Sequence, residues 1–243
     1  MTLSGKRIVI LGGSSGIGLA VAQAASREGA AVVIVSSRQA RVDAALATLP
    51  AVTEGRAEGR AVDLTDEAAV RTLFQGLGGY DHMVFTAGDA LQLGLLASTD
   101  LAAARKFFDL RYWGAFLAAK HGAGGIRAGG SIVFTSGTAG RRPQAGWALG
   151  ASVCAAMEGL TRALAVELAP IRVNIVSPGV VATPLWDTMP PPAREALLQQ
   201  LGQKLPLGHV GSAEEVAETY LYLMRQTYGT GQVIVVDGGG TLV

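Results

Sequence analysis

The residues best placed to do chemistry form the cluster Gly12-Gly13-Ser14-Ser15-Gly16-Ile17-Gly18. It sits between Arg7–Leu11, a nearly continuous apolar run that reads as a strand buried on both faces, and Ile17–Glu28, which has helix composition and ends at Gly29. Strand, glycine turn and helix N-terminus together make a pyrophosphate cradle. Glycines let the backbone approach the anion, and free N–H groups with the helix dipole favour negative charge. The spacing Gly12, Gly16, Gly18 differs from G-x-G-x-x-G. A plain tight turn is the alternative to a nucleotide site, and the strand–helix context favours the nucleotide.

The next chemistry lies at the ends of the following strands. After Ala31–Val35 come Ser37 and Arg38 where an acid would select an unphosphorylated ribose. An Arg accommodates a 2′-phosphate, so NADP(H) is expected over NAD(H), the alternative being a surface Arg that opens a helix. Asp63 and Leu64, closing the strand Gly59–Val62, are expected at the adenine edge, while Thr65 and Asp66 suit a helix cap. Thr86-Ala87-Gly88 ends the strand His82–Phe85 at the carboxyl edge of the sheet, where ligands lie in open α/β folds.

The remaining elements position these groups. Leu101–His121 reads as one long helix with Phe107, Phe108, Tyr112, Trp113 and Phe116 as an apolar stripe for core or subunit packing. Gly130–Thr135 is the fifth strand. Leu149–Leu168 is a helix whose first turns (Gly150, Ala151, Ser152, Ala155, Ala156) are small enough for close helix contact. Ile171–Val176 is the sixth strand and Gln232–Val236 the seventh. Residues 180–206, rich in proline with one helical pattern at Ala193–Leu201, form a candidate lid. Ser212-Ala-Glu-Glu215 is a capping box.

Totals exclude several classes. The 243 residues suit a single α/β domain, and 49% hydrophobic against 16% charged excludes a disordered chain. A formal charge of +1 gives no basis for nucleic acid or acidic membrane as partner. One cysteine excludes an internal disulfide and fits a reducing compartment. Glu158, Arg162 and Glu167 interrupt the apolar stretch Trp147–Leu168, which is expected to be a buried helix, not a membrane span. The start runs directly into the first strand, leaving no room for a cleavable signal, and a cytoplasmic protein is expected.

The ordered set of motifs resembles the short-chain dehydrogenase/reductase family along nearly the whole chain. The glycine turn is similar to T-G-x-x-x-G-x-G with Leu11 in place of Thr. Asp63-Leu64, Ala87-Gly88, Arg172-Val-Asn174, Pro178-Gly179 and Val236-Asp237-Gly-Gly239 match further landmarks. The resemblance implies a Rossmann-type doubly wound domain over residues 1–243, with a seven-stranded parallel sheet and helices on both faces. It also implies a homodimer or homotetramer and hydride transfer between NAD(P)H and a carbonyl or alcohol. The cofactor contacts it implies are Gly12, Ser14, Ser15, Gly16, Ile17, Gly18, Ser37, Arg38, Asp63, Leu64, Thr86, Ala87, Gly88, Pro178, Gly179, Val181 and Thr183; no metal site is expected.

The catalytic positions depart from the family. Anchoring on Ala155-Ala156-Met157-Glu158-Gly159-Leu160 puts Gly150 at the family's Tyr position and Cys154 at its Lys. The Ser falls on Gly137, one residue after Ser136, and the Asn falls on Arg111. Losing a general acid costs on the order of 10² to 10⁴ in rate, and losing the hydroxyl that holds the oxygen adds an oxyanion-type penalty. Arg111, Cys154 and Ser136 are the remaining catalytic candidates; Ser152 and His121 are weaker ones. Arg111 can stabilise an oxyanion but not donate its proton, and Cys154 is either a thiol donor or a small packing residue. Two functions follow: an oxidoreductase with a non-standard site acting on activated carbonyls, enones, imines or quinones, or a catalytically silent NADP(H)-binding protein serving as cofactor sensor or hetero-oligomer partner.

Overall fold

The computed structural model describes residues 2–50, 57–187 and 189–243. Seven strands form one parallel sheet in the order β3-β2-β1-β4-β5-β6-β9: β1 (Arg7–Leu11), β2 (Ala31–Ser36), β3 (Ala57–Ala61), β4 (Tyr80–Phe85), β5 (Ile126–Thr135), β6 (Arg172–Pro178) and β9 (Val233–Val236). A short parallel pair, β7 (Val181–Ala182) and β8 (Gly211–Ser212), lies beside it. The order reverses between β1 and β4, and the crevice above that switch point is where such sheets bind ligands.

Strand periodicity divides the core into two layers. Ile8 and Ile10 of β1 face α1 (Gly16–Arg27) and α8 (Ala213–Arg225), together with Val32, Ile34, Val84 and Val133. Val9 and Leu11 face the opposite layer, with Met83, Phe85, Ile132, Phe134 and Ile175. That second layer is covered by α3 (Glu67–Leu77), α5 (Ala115–Gly122) and α6 (Ala148–Glu167). Each aliphatic side chain so buried contributes about 1.5–3 kcal/mol. The layering therefore explains why the strands read as unbroken apolar runs.

Most helix boundaries follow their caps. Gly29, with φ +83, ends α1 as expected. The Asp66 carboxylate accepts from the N–H groups of Ala68 and Ala69 and starts α3. Ser212 and Glu215 form the expected capping box on α8. Between β2 and β3 lies α2 (Gln39–Ala47). In the lid segment α7 runs over Pro191–Gln203, longer than the Ala193–Leu201 pattern, because prolines are favoured in a first turn. The predicted single helix Leu101–His121 is three pieces: α4 (Leu101–Phe108), a π-helical turn over Asp109–Gly114, and α5. By length and composition α6 passes for a membrane span; it packs Met157, Leu160 and Leu164 into the core layer against the sheet, but most of its surface is not buried, so the expected buried helix is buried on one face only.

Candidate active site

One cavity of about 1050 Å³ runs along the carboxyl edge of the sheet across the switch point. Its central floor is the glycine turn. Gly12 has φ +90, in the left-handed region, and a side chain there would press on the Ala87 backbone. A Cβ on Gly18 would collide with the Gly12 carbonyl and the Thr86 hydroxyl. Thr86 Oγ1 donates toward the carbonyls of Leu11 and Gly12 (3.3 and 3.2 Å), fastening the end of β4 to the turn. Ser15 precedes α1 in extended conformation and caps it with no side-chain hydrogen bond. The first N–H groups of α1 are thus left for a ligand, the arrangement that holds phosphate.

The half of the cavity where the adenosine is expected is built from β2, α2 and the end of β3. Ser14 and Ser36 are joined through their hydroxyls at 2.9 Å. Asp63 accepts from the Thr65 N–H (2.9 Å) and hydroxyl (2.7 Å), and these bonds hold its carboxyl below the usual range. Every residue expected to touch the cofactor lines the cavity except Arg38. Arg38, at the N-cap position of α2, and Arg41, three residues further along, are both exposed, and Arg41 lines the cavity with Ser37. The phase of α2 brings Arg41 to the wall, three residues after the Arg38 expected from the sequence.

The other half has apolar walls. Leu91 and Leu93 come from the loop after β4, Phe107 from α4, Trp147 from the turn before α6, and Leu185 and Trp186 from the segment after β7. Trp186 Nε1 donates to the Val181 carbonyl at 2.9 Å, which fixes the ring. Of this set, Leu91, Leu93 and Trp147 carry no sequence expectation of a place here, and Phe107 was expected in core or subunit packing and instead also lines the cavity.

The four positions aligned with the family's catalytic groups meet at the inner end, and all line the cavity. A Cβ on Gly150 would find nothing within 4 Å, so the space beside it is open. A Cβ on Gly137 would lie 3.2 Å from the Cys154 sulfur, which thus fills the neighbourhood a larger residue 137 would take. Ser136 Oγ donates to the Cys154 backbone carbonyl at 3.1 Å. Burial pushes the Cys154 thiol above its ordinary value, outweighing the hydrogen bond from Ser136 and the charge of Arg111, so it is a neutral thiol near pH 7. Among the described residues no tyrosine, lysine or histidine lines this cavity. Ser152 is exposed outside it, and His121 pairs with Glu67 at 3.0 Å far from it.

Arg111 sits in the π-helical turn, a feature often found at functional sites. Its guanidinium carbon is 4.8 Å from the Phe107 ring centroid, and Nη2 donates to the Asp89 carbonyl. A side chain on Gly88 would run into Nη1. Nε is buried without a hydrogen-bond partner.

The SDR-like Rossmann domain profile matches residues 2–243. The chain belongs to the short-chain dehydrogenase/reductase family. It is 37% identical to the short-chain dehydrogenase/reductase ATR9 of Stachybotrys chlorohalonatus, over 99% of each chain. A crystal structure of a small-chain dehydrogenase in complex with NADPH superimposes with a TM-score of 0.85 at 37% identity, covering 98% of this chain and 99% of that one. The MalC reductase/Diels–Alderase from Malbranchea aurantiaca superimposes with a TM-score of 0.92 at 34% identity, covering 99% and 98%. The chain is accordingly an SDR-like oxidoreductase by family, a family to which the resemblance attaches a nicotinamide dinucleotide. The cradle at Gly12 and Gly18, too narrow for any side chain, and the free N-terminus of α1 fit that group.

Proposed function

We propose that this protein is an NADP(H)-dependent oxidoreductase with a non-standard catalytic site, reducing activated carbonyl, enone, imine or quinone acceptors. One observation carries the reading: an intact dinucleotide cradle opens onto an inner wall where Gly150 leaves space and no residue is poised as a strong acid. The α1 N-terminus takes the pyrophosphate, Asp63 and Leu64 border the adenine, and Ala87, Gly88, Pro178 and Gly179 border the nicotinamide end. Ser37 and Arg41, with Arg38 close by, receive the 2′-phosphate, which favours NADP(H) over NAD(H). The NADPH complex of a 37% identical relative supports that preference. When bound, NADPH supplies a hydride to the acceptor carbon.

The protein's own contribution is binding and electrostatics. Ser136 is committed to the Cys154 carbonyl and the Cys154 thiol is a poor donor, so the proton comes from water or from the substrate. Residues 180–206 act as a lid: Thr183 to Asp187 lie on the cavity wall and Trp186 is anchored to Val181. Trp113, Phe116 and Val166 leave apolar surface exposed on α5, its preceding turn and α6, which supports a homodimer or homotetramer joined through these helices. The site of action proposed is the cytoplasm.

The replaced tetrad favours one rival, a silent NADP(H)-binding sensor or hetero-oligomer partner. Fluorescence titration with NADPH and NADH, followed by reoxidation assays with enones, quinones, imines and ketones, separates the two. Tight NADPH binding with turnover of activated acceptors supports the enzyme; tight binding with no turnover of any class supports the sensor; no binding overturns both.

A further inference from the structure

Among the described residues, the inner half of the cavity holds a single cation among largely apolar walls. Arg111 is largely enclosed, stacked on Phe107, with Nη2 tied to the Asp89 carbonyl and Nε without a partner. The groups that face it electrostatically are the Asp89 carboxylate, on an exposed loop, and the neutral Cys154 thiol. The other carboxylate on this wall, Asp187, is paired with Arg194. Nε is shut off from the cavity, so what Arg111 offers a ligand is the part of its guanidinium on the cavity wall. An anionic oxygen is the best partner for that cation, through short charge-assisted bonds.

We propose that Arg111 is the receptor for a substrate oxygen that bears full negative charge during the reaction, so that the substrate is an apolar conjugated carbonyl compound. The inference rests on the oxidoreductase reading above and selects among its acceptor classes. With NADPH bound, a hydride released by breaking its nicotinamide C–H bond, leaving NADP⁺, would form a new C–H bond at the β-carbon of a conjugated enone. The C=C electron pair shifts to make an enolate, with the charge on oxygen. The enolate later takes its proton from water at the α-carbon. No acidic side chain is needed at the moment of hydride transfer, which matches the vacant space beside Gly150. A quinone acceptor gives a phenolate in the same way. A cationic imine would instead meet Arg111 as a like charge, and this argues against that class. Leu91, Leu93, Trp147 and Trp186 supply the surface for the apolar body. Oxyanion stabilisation by a fixed cation in a dry site is among the largest catalytic effects available to a protein.

The test reads the anion receptor without turnover. 4-Nitrophenol is titrated into NADP⁺-loaded protein across its ionisation, following the phenolate absorbance. The anion is expected to bind at least about tenfold more tightly than the neutral phenol, equivalent to a fall of about one pKa unit on binding. Arg111→Gln should abolish that preference and Arg111→Lys should keep part of it. Equal binding of phenol and phenolate, or a shift that survives Arg111→Gln, overturns the proposal. If circular dichroism shows Arg111→Gln unfolded, the neutral analogue nitrobenzene, no larger than the phenolate, decides on the wild-type protein. Binding at least about tenfold weaker than the phenolate sustains the proposal, and binding as tight overturns it. Failure of NADPH to bind at all, measured separately, sinks the oxidoreductase reading and this proposal with it, whereas cofactor binding with no phenolate preference sinks the proposal alone.

Discussion

Acid should weaken this fold through His82. The ring lies in β4, 4% exposed, with Nδ1 at 2.9 Å from Ser131 Oγ. Burial, reinforced by the Arg172 charge, drives its pKa from 6.5 down to about 4, against the opposing pull of Asp81; Lys6 adds to the fall. Arg172 is itself buried, bonded to the carbonyls of Leu223 and Met224, and cannot move away cheaply. Because the folded pKa lies below the unfolded one, the unfolded chain binds the proton first as pH falls. Stability is therefore whole above about pH 6.5 and is lost progressively as pH drops toward about 4. The loss is about 2 kcal/mol at about pH 5 and approaches about 3 kcal/mol at the acid limit. The carboxylates with lowered pKa (Asp63, Glu67, Asp81 and Glu215) start from 3.8 or 4.5 and contribute only at the lower end. Urea denaturation at several pH values, on wild type and on His82→Gln, isolates the histidine. The wild type should lose about 2 kcal/mol more than the variant between about pH 7.5 and about pH 5. Parallel curves for the two proteins would refute the reasoning.

Gly18→Ala should lower NADPH affinity at least about tenfold and destabilise the fold by about 1–3 kcal/mol, because its methyl group meets the Gly12 carbonyl and the Thr86 hydroxyl; fluorescence titration and thermal melting check both. Gly150→Ala, whose methyl enters open space in the first turn of α6, should instead stabilise by about 0.5–1 kcal/mol, read from denaturant midpoints. Arg41→Glu should cut the NADPH-over-NADH preference more than Arg38→Glu does, measured as the ratio of dissociation constants. An equal effect of the two would return the 2′-phosphate to the strand end.

Sheet, layers and cradle were readable because each rests on local signals. Ile8-Val9-Ile10-Leu11 has no polar face since both faces are covered, and the glycines after it have no room for side chains. The capping pair Ser212 and Glu215 was equally local. What escaped the sequence depended on helix phase. The apolar stripe from Phe107 to Phe116 is compatible with an uninterrupted helix, and nothing in it announces the π turn that carries Arg111. Arg38 and Arg41 differ by less than one turn, and only the start of α2 decides which reaches the wall. Leu91 and Leu93 follow no period, so their place in the cavity was hidden. Pro191 and Pro192 did carry a usable sign, a helix start at the first proline.

The most direct test of the central claim compares a conjugated enone with its saturated ketone counterpart under single-turnover conditions with NADPH-loaded wild-type protein. A site with the cofactor cradle and the Arg111 cation but no tyrosine acid predicts that the enone oxidises NADPH at least about a hundredfold faster, in line with the worth of a general acid. Equal rates for the two, with the ketone reduced as readily as the enone, would contradict it.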